Sequence, residues 1–283
     1  MNQEFVKIAS HTSYLELGGN DRPNIGFIRG EKGSIVWDGG NSCNNAQQLL
    51  SKLTAEEAAS IRLLVLSHKH WDHVFGAQYF QVPVMANAVL KKQLDSMRGQ
   101  DWTREGVLRR AKNKELCEFG KNNYLNEFVI GNRFSIPEPD YVTYGKAEIN
   151  LGGVTCSYEP VETCHAEGCS VLYVKEDKVL FLGDCLWPNM EGMEEDWYYS
   201  LPKVAALKKY LESFDAMYYI DSHEVPIPRE KLFLWMDKLI FILQAVKSCR
   251  GDITGACRDI PEQLKGIVLC YEDSIMTACR NCR

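Results

Sequence analysis

The sequence predicts an α/β protein in which two β-sheets pack together with helices outside. Three observations carry this reading. The run RLLVLS (62–67) is continuously apolar from Leu63 to Leu66 and of strand length, which suits a strand buried on both faces. Two stretches, NIGFIRGEKGSIVWD (24–38) and SVLYVKEDKVLFLGD (170–184), read as hairpins with turns at Glu31–Gly33 and Lys175–Lys178. Strands followed by a helix occur once in each half of the chain, and two sheets with helices on their outer faces would bury such patterns.

Taken in order, Asn44 to Ala59 is polar with Leu49, Leu50 and Leu53 on one side, and predicts a surface helix. RLLVLS follows, then PVMANAV (83–89), a short strand leading into a helix. Residues 91–135 are polar, partly basic and helical in composition, and read as a helical insertion that covers whatever site the strand ends build. The β pattern returns in YVTYG, AEINLGG and VTCSYEPVE from Tyr141 onward. Leu201 to Phe214 predicts a helix, MYYID (217–221) a strand and Arg229 to Val246 a helix. The main domain is placed at residues 1–248, leaving 249–283 as a cysteine-rich tail.

Composition narrows the function. Apolar residues make up 45% of the 283 positions and charged residues 25%, with a net charge of −6. An acidic chain is poorly suited to nucleic acid, which demands clustered Lys and Arg. The first residues lack a basic start followed by an apolar run, and no stretch approaches the roughly 18 apolar residues of a membrane span. The expectation is a cytoplasmic protein with a small-molecule partner rather than a membrane; self-association into a homo-oligomer is left open. The 11 cysteines are then expected to be reduced. Cys270, Cys279 and Cys282, with Cys257 or Cys249, offer a second metal site or simply a docking tail.

The chemistry concentrates in Ser67-His68-Lys69-His70-Trp71-Asp72-His73, directly after the buried run. On an extended segment His68, His70 and Asp72 would point one way and His73 the other. Imidazole and carboxylate together suit Zn, Fe or Mn. His165, Asp184 and His223 each fall at a predicted strand end. His11 matches nothing in this pattern.

The set His68-x-His70-x-Asp72-His73, His165, Gly183-Asp184 and His223, with Ile35-Val36-Trp37-Asp38-Gly39-Gly40 upstream, resembles the metallo-β-lactamase-fold superfamily. The resemblance spans most of residues 11–225 and implies an αββα four-layer sandwich with two divalent metal ions, zinc foremost, iron or manganese otherwise. By position, it implies His68, His70 and His165 at one metal, Asp72, His73 and His223 at the other, and Asp184 bridging. Such a site holds a hydroxide at neutral pH that attacks a carbonyl or phosphoryl centre, with Asp72 orienting it. Asp38 is either a strand-end turn residue or the partner of a ligand imidazole.

Within the superfamily the chain departs from several branches. The commonest β-lactamases carry Cys where Asp184 stands, and the flavin-linked diiron reductases carry Glu where His70 stands. The expectation is hydrolysis of a small lactone, ester or thioester. A phosphodiesterase or nuclease on the same site is the first alternative. A mononuclear iron oxygenase resembling the persulfide dioxygenases is the second. Substrate selection is expected from 91–135 and from Trp187 to Tyr199, with Tyr198 and Tyr199 as candidates to bind a substrate oxygen or to pack as ordinary aromatics.

Overall fold

A computed structural model describes residues 3–128, 134–248, 253–258, 260–267, 279 and 281–282. The first sheet contains β1 (Phe5–Lys7), β2 (Thr12–Leu15), β3 (Ile25–Gly30), β4 (Gly33–Trp37), β5 (Ile61–Val65), β6 (Val84–Asn87) and β7 (Tyr141–Thr143), side by side in chain order. β1 to β4 run antiparallel through short connections, and β4 to β7 run parallel. Parallel neighbours need long crossovers. Here these hold α1 (Cys43–Lys52) and α2 (Ala55–Ser60), then the short α3 (Trp71–Val74), then α4 (Ala88–Arg98), α5 (Arg104–Lys112) and α6 (Glu118–Glu127).

The second sheet runs β8 (Ala147–Asn150), β9 (Thr155–Pro160), β10 (Ser170–Val174), β11 (Val179–Gly183), β12 (Tyr218–Asp221) and β13 (Ile227–Pro228). Only β11 and β12 pair in parallel, joined across α7 (Leu201–Glu212). α8 (Arg229–Ser248) and α9 (Ile253–Arg258) follow.

The layers show in what each face buries. Trp37 and Val65 of the first sheet and Tyr158, Leu172 and Phe181 of the second form one core between the sheets. Leu64 and Leu66 turn the other way, into a core shared with Leu49 of α1 and Leu90 and Leu94 of α4. Leu64 and Val65 of β5 and the adjoining Leu66 are fully buried, so the central strand is covered on both faces at this end, as its apolar run predicts. The outer face of the second sheet packs on α7 and α8 through Leu207, Leu211, Trp235 and Leu239. This is the αββα sandwich.

Several expectations need correction. The single helix over 44–59 is two helices. Thr54 ends the first by capping the second, accepting from the Glu57 N–H while the Glu57 carboxylate accepts from the Thr54 N–H; such a capping box stabilises a helix start by about 1 kcal/mol. β1, β2 and β13 were not foreseen, being too short for an alternation to show. The tail has more core character than its composition suggests. Cys279 is fully buried with Leu264 nearby in burial, both Cys279 and Cys282 belong to or pack against the α7–α8 core, and Lys238 Nζ donates to the Ile267 carbonyl at 2.8 Å. Cys249 and Cys270 and the side chain of Cys257 lie outside the described residues. No helix among the described residues is long and apolar enough to cross a membrane.

Candidate metal centre

The site forms where strands end. Asp38 directly follows β4, Ser67 and His68 lie just beyond β5, Asp184 directly follows β11 and Asp221 ends β12. His165 lies on the loop between β9 and β10, and His223 just beyond β12. Binding at the carboxyl ends of strands is the usual habit of layered α/β folds. The β11–β12 register shifts between Phe181 and Gly183, and such a bulge re-aims the side chains at a strand's end. Gly183 adopts φ +57°, and a Cβ there would meet Ser67 Cβ at 2.8 Å. Any larger residue would push Asp184 away from His68.

The stretch from His68 to His73 is not extended throughout. His70 precedes α3, whose four residues turn helically, and the His73 N–H donates to the His70 carbonyl at 3.0 Å. The turn, rather than strand alternation, therefore separates Asp72 and His73 from His68 and His70.

Seven donors converge, in two groups that share Asp184. In the first, His68 Nε2 lies 3.2 Å from His70 Nδ1 and 3.2 Å from His165 Nε2. Asp184 Oδ2 is 3.8 Å from His68 Nε2 and 3.4 Å from His165 Nε2. In the second, Asp72 Oδ2 lies 3.0 Å from His73 Nε2 and 3.2 Å from His223 Nε2. Asp184 Oδ1 stands 3.3 Å from His73 Nε2, and Oδ2 3.4 Å from His223 Nε2.

Electrostatics separate the groups. Burial, reinforced by neighbouring imidazoles, holds His68 and His70 well below the ordinary histidine range, and burial lowers His165 too. These are neutral nitrogen donors. Burial also opposes charge on His73 and His223, but the carboxylates of Asp72, Asp184, Asp38 and Asp21 outweigh it and raise both. Asp72 and Asp184 are held low by the same imidazoles against the opposing effect of burial.

The donors fit a divalent metal. His73 Nε2 and Asp184 Oδ1 are buried without a hydrogen-bond partner among the described residues. Leaving such atoms unmatched costs about 1–3 kcal/mol each, and a cation between them removes that cost. Imidazoles with aspartates are a donor set for zinc, iron or manganese, which would take the place of the proton the carboxylates favour on His73 and His223.

Outer contacts fix the rings. Asp38 Oδ2 lies 2.8 Å from His73 Nδ1 and accepts from Ser67 Oγ at 2.7 Å, while Oδ1 accepts from the Ser67 N–H at 2.7 Å. Ser67 Oγ is in turn 2.9 Å from His68 Nδ1. Asp38 thus orients one imidazole in each group. It does so from a left-handed backbone, φ +63°, a strained conformation for a residue other than Gly or Asn. His165 Nδ1 faces the Pro188 carbonyl at 3.0 Å.

Other contacts escaped the sequence reading. Asp21 Oδ1 lies 3.5 Å from His223 Nδ1. Asp221 Oδ1 accepts from Trp187 Nε1 at 3.3 Å and from the His223 N–H at 3.0 Å. Burial foremost pushes both carboxyls up to about 7. Asp221 ends an apolar strand as Asp184 does, which was a usable signal; Asp21, in the loop GGNDRP, offers none.

A cavity of about 140 Å³ opens on the cluster, bounded by Trp71, Leu116, Phe119, Trp187 and Met190. Tyr199 is not part of it. It is 1% exposed, and its hydroxyl donates to the Leu186 carbonyl at 2.9 Å, so it is a core residue and not a substrate contact. Tyr198 lines a different cavity, with Lys69, Glu162 and Lys203. Cys164, Cys169 and Cys185 are buried. His11 meets the Arg29 carbonyl, remote from the cluster in its contacts.

The fold and this donor set define an αββα protein with a cluster of side chains that could hold divalent metal. The chain belongs to the metallo-beta-lactamase superfamily, whose family model matches residues 18–232. Among solved structures, it is similar to a stereoselective inverting sec-alkylsulfatase from Pseudomonas sp. (15% identity, TM-score 0.67), over 99% of this chain and 50% of that one. It is also similar to a metallo-beta-lactamase from Pontibacter korlensis (17%, TM-score 0.52), over 81% of this chain and 94% of that one, and to one from Cronobacter sakazakii (16%, TM-score 0.54), over 95% and 90%. The chain spans about half the sulfatase's length. No curated protein matches the sequence. At these identities the likeness concerns the fold.

Proposed function

We propose that the chain is a hydrolase of small lactones, esters or thioesters that works with two divalent metal ions, zinc foremost and iron or manganese otherwise. The observation that supports this most is the pair of four-donor groups meeting at Asp184. Metals held there supply Lewis acidity at a carbonyl oxygen and bring the pKa of bound water towards 7. Asp72, which lines the cavity and is in contact with His73 and His223, orients the nucleophile and passes a proton to the leaving group.

The cavity favours a carbonyl substrate. No Lys or Arg is among the described residues lining it, whereas phosphodiester and sulfate groups are normally held by cationic forks. Its small volume and its aromatic wall suit a compact, partly apolar acyl group. Leu116 and Phe119 belong to the segment from α4 to α6, which acts as a lid that shapes the pocket and excludes water.

The test is a substrate panel on protein loaded with zinc or manganese: lactones, esters and thioesters against a bis-phosphodiester, single-stranded nucleic acid and a secondary alkyl sulfate. Carbonyl hydrolysis should dominate, rise with pH through one ionisation near neutrality, vanish with a chelator and return with metal. Cleavage of the phosphodiester or sulfate alone would replace the substrate class. Oxygen uptake by a one-iron protein would replace the reaction.

A further inference from the structure

A second cavity, of about 300 Å³, adjoins the first; His70, Trp71, Leu116 and Met190 line both. The two differ in charge. Arg110 of α5 lines the outer cavity, with its guanidinium carbon 4.4 Å from the Trp102 ring centroid. Its side chain is only 15% exposed. Nη1 is buried and has no hydrogen-bond partner among the described residues. Glu115 stands 3.8 Å from Nε, beyond hydrogen-bond distance, and is itself half exposed. Lys69, the other cation on this wall, is paired with Glu191. Nη1 is thus closed to a ligand, and what Arg110 offers the cavity is the remaining, partly exposed edge of its guanidinium.

We propose that the outer cavity is a carboxylate subsite. The substrate is then a small ester, thioester or lactone with a carboxylate at its far end, held on Arg110 while the carbonyl lies in the inner cavity. This rests on the hydrolase reading above. The fork of Arg110 matches a planar carboxylate. A dianionic phosphate would meet Glu115 and Glu191 on the same wall, where Arg110 and Lys69 are already ion-paired to them. Hydrolysis of such an ester adds water across the acyl C–O bond, the hydroxyl to carbon and the proton to the departing alkoxide. A dicarboxylate and an alcohol result, with no redox change.

The experiment compares monomethyl glutarate with dimethyl glutarate, and the succinate and adipate pairs, on the wild type, Arg110→Gln and Arg110→Lys. The wild type should prefer the monoester. Arg110→Gln should lower kcat/KM for the monoester by about tenfold or more, mainly through KM, and leave the diester within about twofold. Arg110→Lys should recover part of the preference. Metal content and thermal unfolding check that each variant is folded. Binding is read separately from turnover, by tryptophan fluorescence on titration with glutarate, since Trp102 stacks on Arg110. Saturable, Arg110-dependent glutarate binding without ester hydrolysis would keep the subsite and sink the hydrolase reading. Equal hydrolysis of both esters by wild type and Arg110→Gln, with no glutarate binding, would overturn the subsite and leave the hydrolase reading standing.

Discussion

The donor cluster and the helical wall above it are built in opposite ways. The cluster sits on the ends of β4, β5, β11 and β12, and its carboxylates and imidazoles are almost all buried. The rings of His68, His73, His165 and His223 each have a second contact, with Ser67, Asp38, the Pro188 carbonyl and Asp21 in turn. The wall, from α4 to α6, is made of short helices with exposed outer faces. It is held by an aromatic group of Phe75, Trp102, Tyr124 and Phe134 and by one buried ion pair, Arg22–Glu127. Sites on strand ends hold geometry tightly, whereas helical connections tolerate change. Substitutions in the cluster should therefore abolish reaction without altering preference. Substitutions in the wall should alter stability or preference and leave the chemistry in place.

The largest effect is expected at Asp184, the one side chain common to both donor groups. Asp184→Ala should lower kcat by roughly 10³-fold or more, about 4 kcal/mol of barrier, and lower bound metal below the wild-type content. Elemental analysis and turnover on the same preparation check both. The substitution removes a buried carboxylate oxygen that has no hydrogen-bond partner among the described residues, so the variant should stay folded. Collapse instead would make Asp184 a structural residue and erase the contrast with the wall.

Asp38 comes next. It reaches His73 directly and His68 through Ser67, so Asp38→Asn should loosen both groups together. Loss of such an outer partner typically costs about 10–100-fold in metal affinity. Competition with a chromogenic chelator measures it. Loss at one group only would show that the Ser67 relay carries no load.

Much of this was legible in the sequence because it rests on spacing. The buried run before Ser67 placed the histidine stretch at a strand end, and seven donor side chains at strand edges could be named before any geometry. What was not legible depends on backbone conformation or on distant contacts. The positive φ of Asp38, the helical turn of Trp71–Val74 and the approach of Asp21 to His223 leave no mark in composition. Tyr199 shows the converse: an aromatic beside a site looks like a substrate contact until its hydroxyl is seen to be satisfied inside the core.

The wall offers a third, smaller effect. Glu127 accepts from Arg22, Asn20 and Ser42. Burial raises its pKa, but these partners outweigh it and the carboxyl lies below the ordinary glutamate range. A lowered folded-state pKa contributes stability that is present above the unfolded value and is lost as pH falls through the folded one. Glu127→Gln should therefore destabilise by about 2 kcal/mol at pH 7, with the gap to wild type closing as pH drops below the ordinary glutamate range. Urea unfolding at a series of pH values tests this. A gap independent of pH would mean the ion pair does not anchor α6.

The smallest effect is expected at Phe119, and it bears most directly on what the wall is for. Phe119 lines the metal cavity opposite Trp187 and His223, yet it is 46% exposed, so its ring contributes little to folding. Its removal should cost about 1 kcal/mol of contact with a bulky acyl group, a fewfold loss in kcat/KM, and almost nothing with an acetyl group too short to reach it. Phe119→Ala should thus compress the ratio of butyryl to acetyl ester hydrolysis by about fivefold, with metal content unchanged. The comparison is internal to one enzyme preparation, so differences in active fraction cancel. A uniform fall across acyl lengths would mean that Phe119 supports the cluster rather than the pocket. No change at all would place the acyl group elsewhere, toward the cavity that holds Arg110.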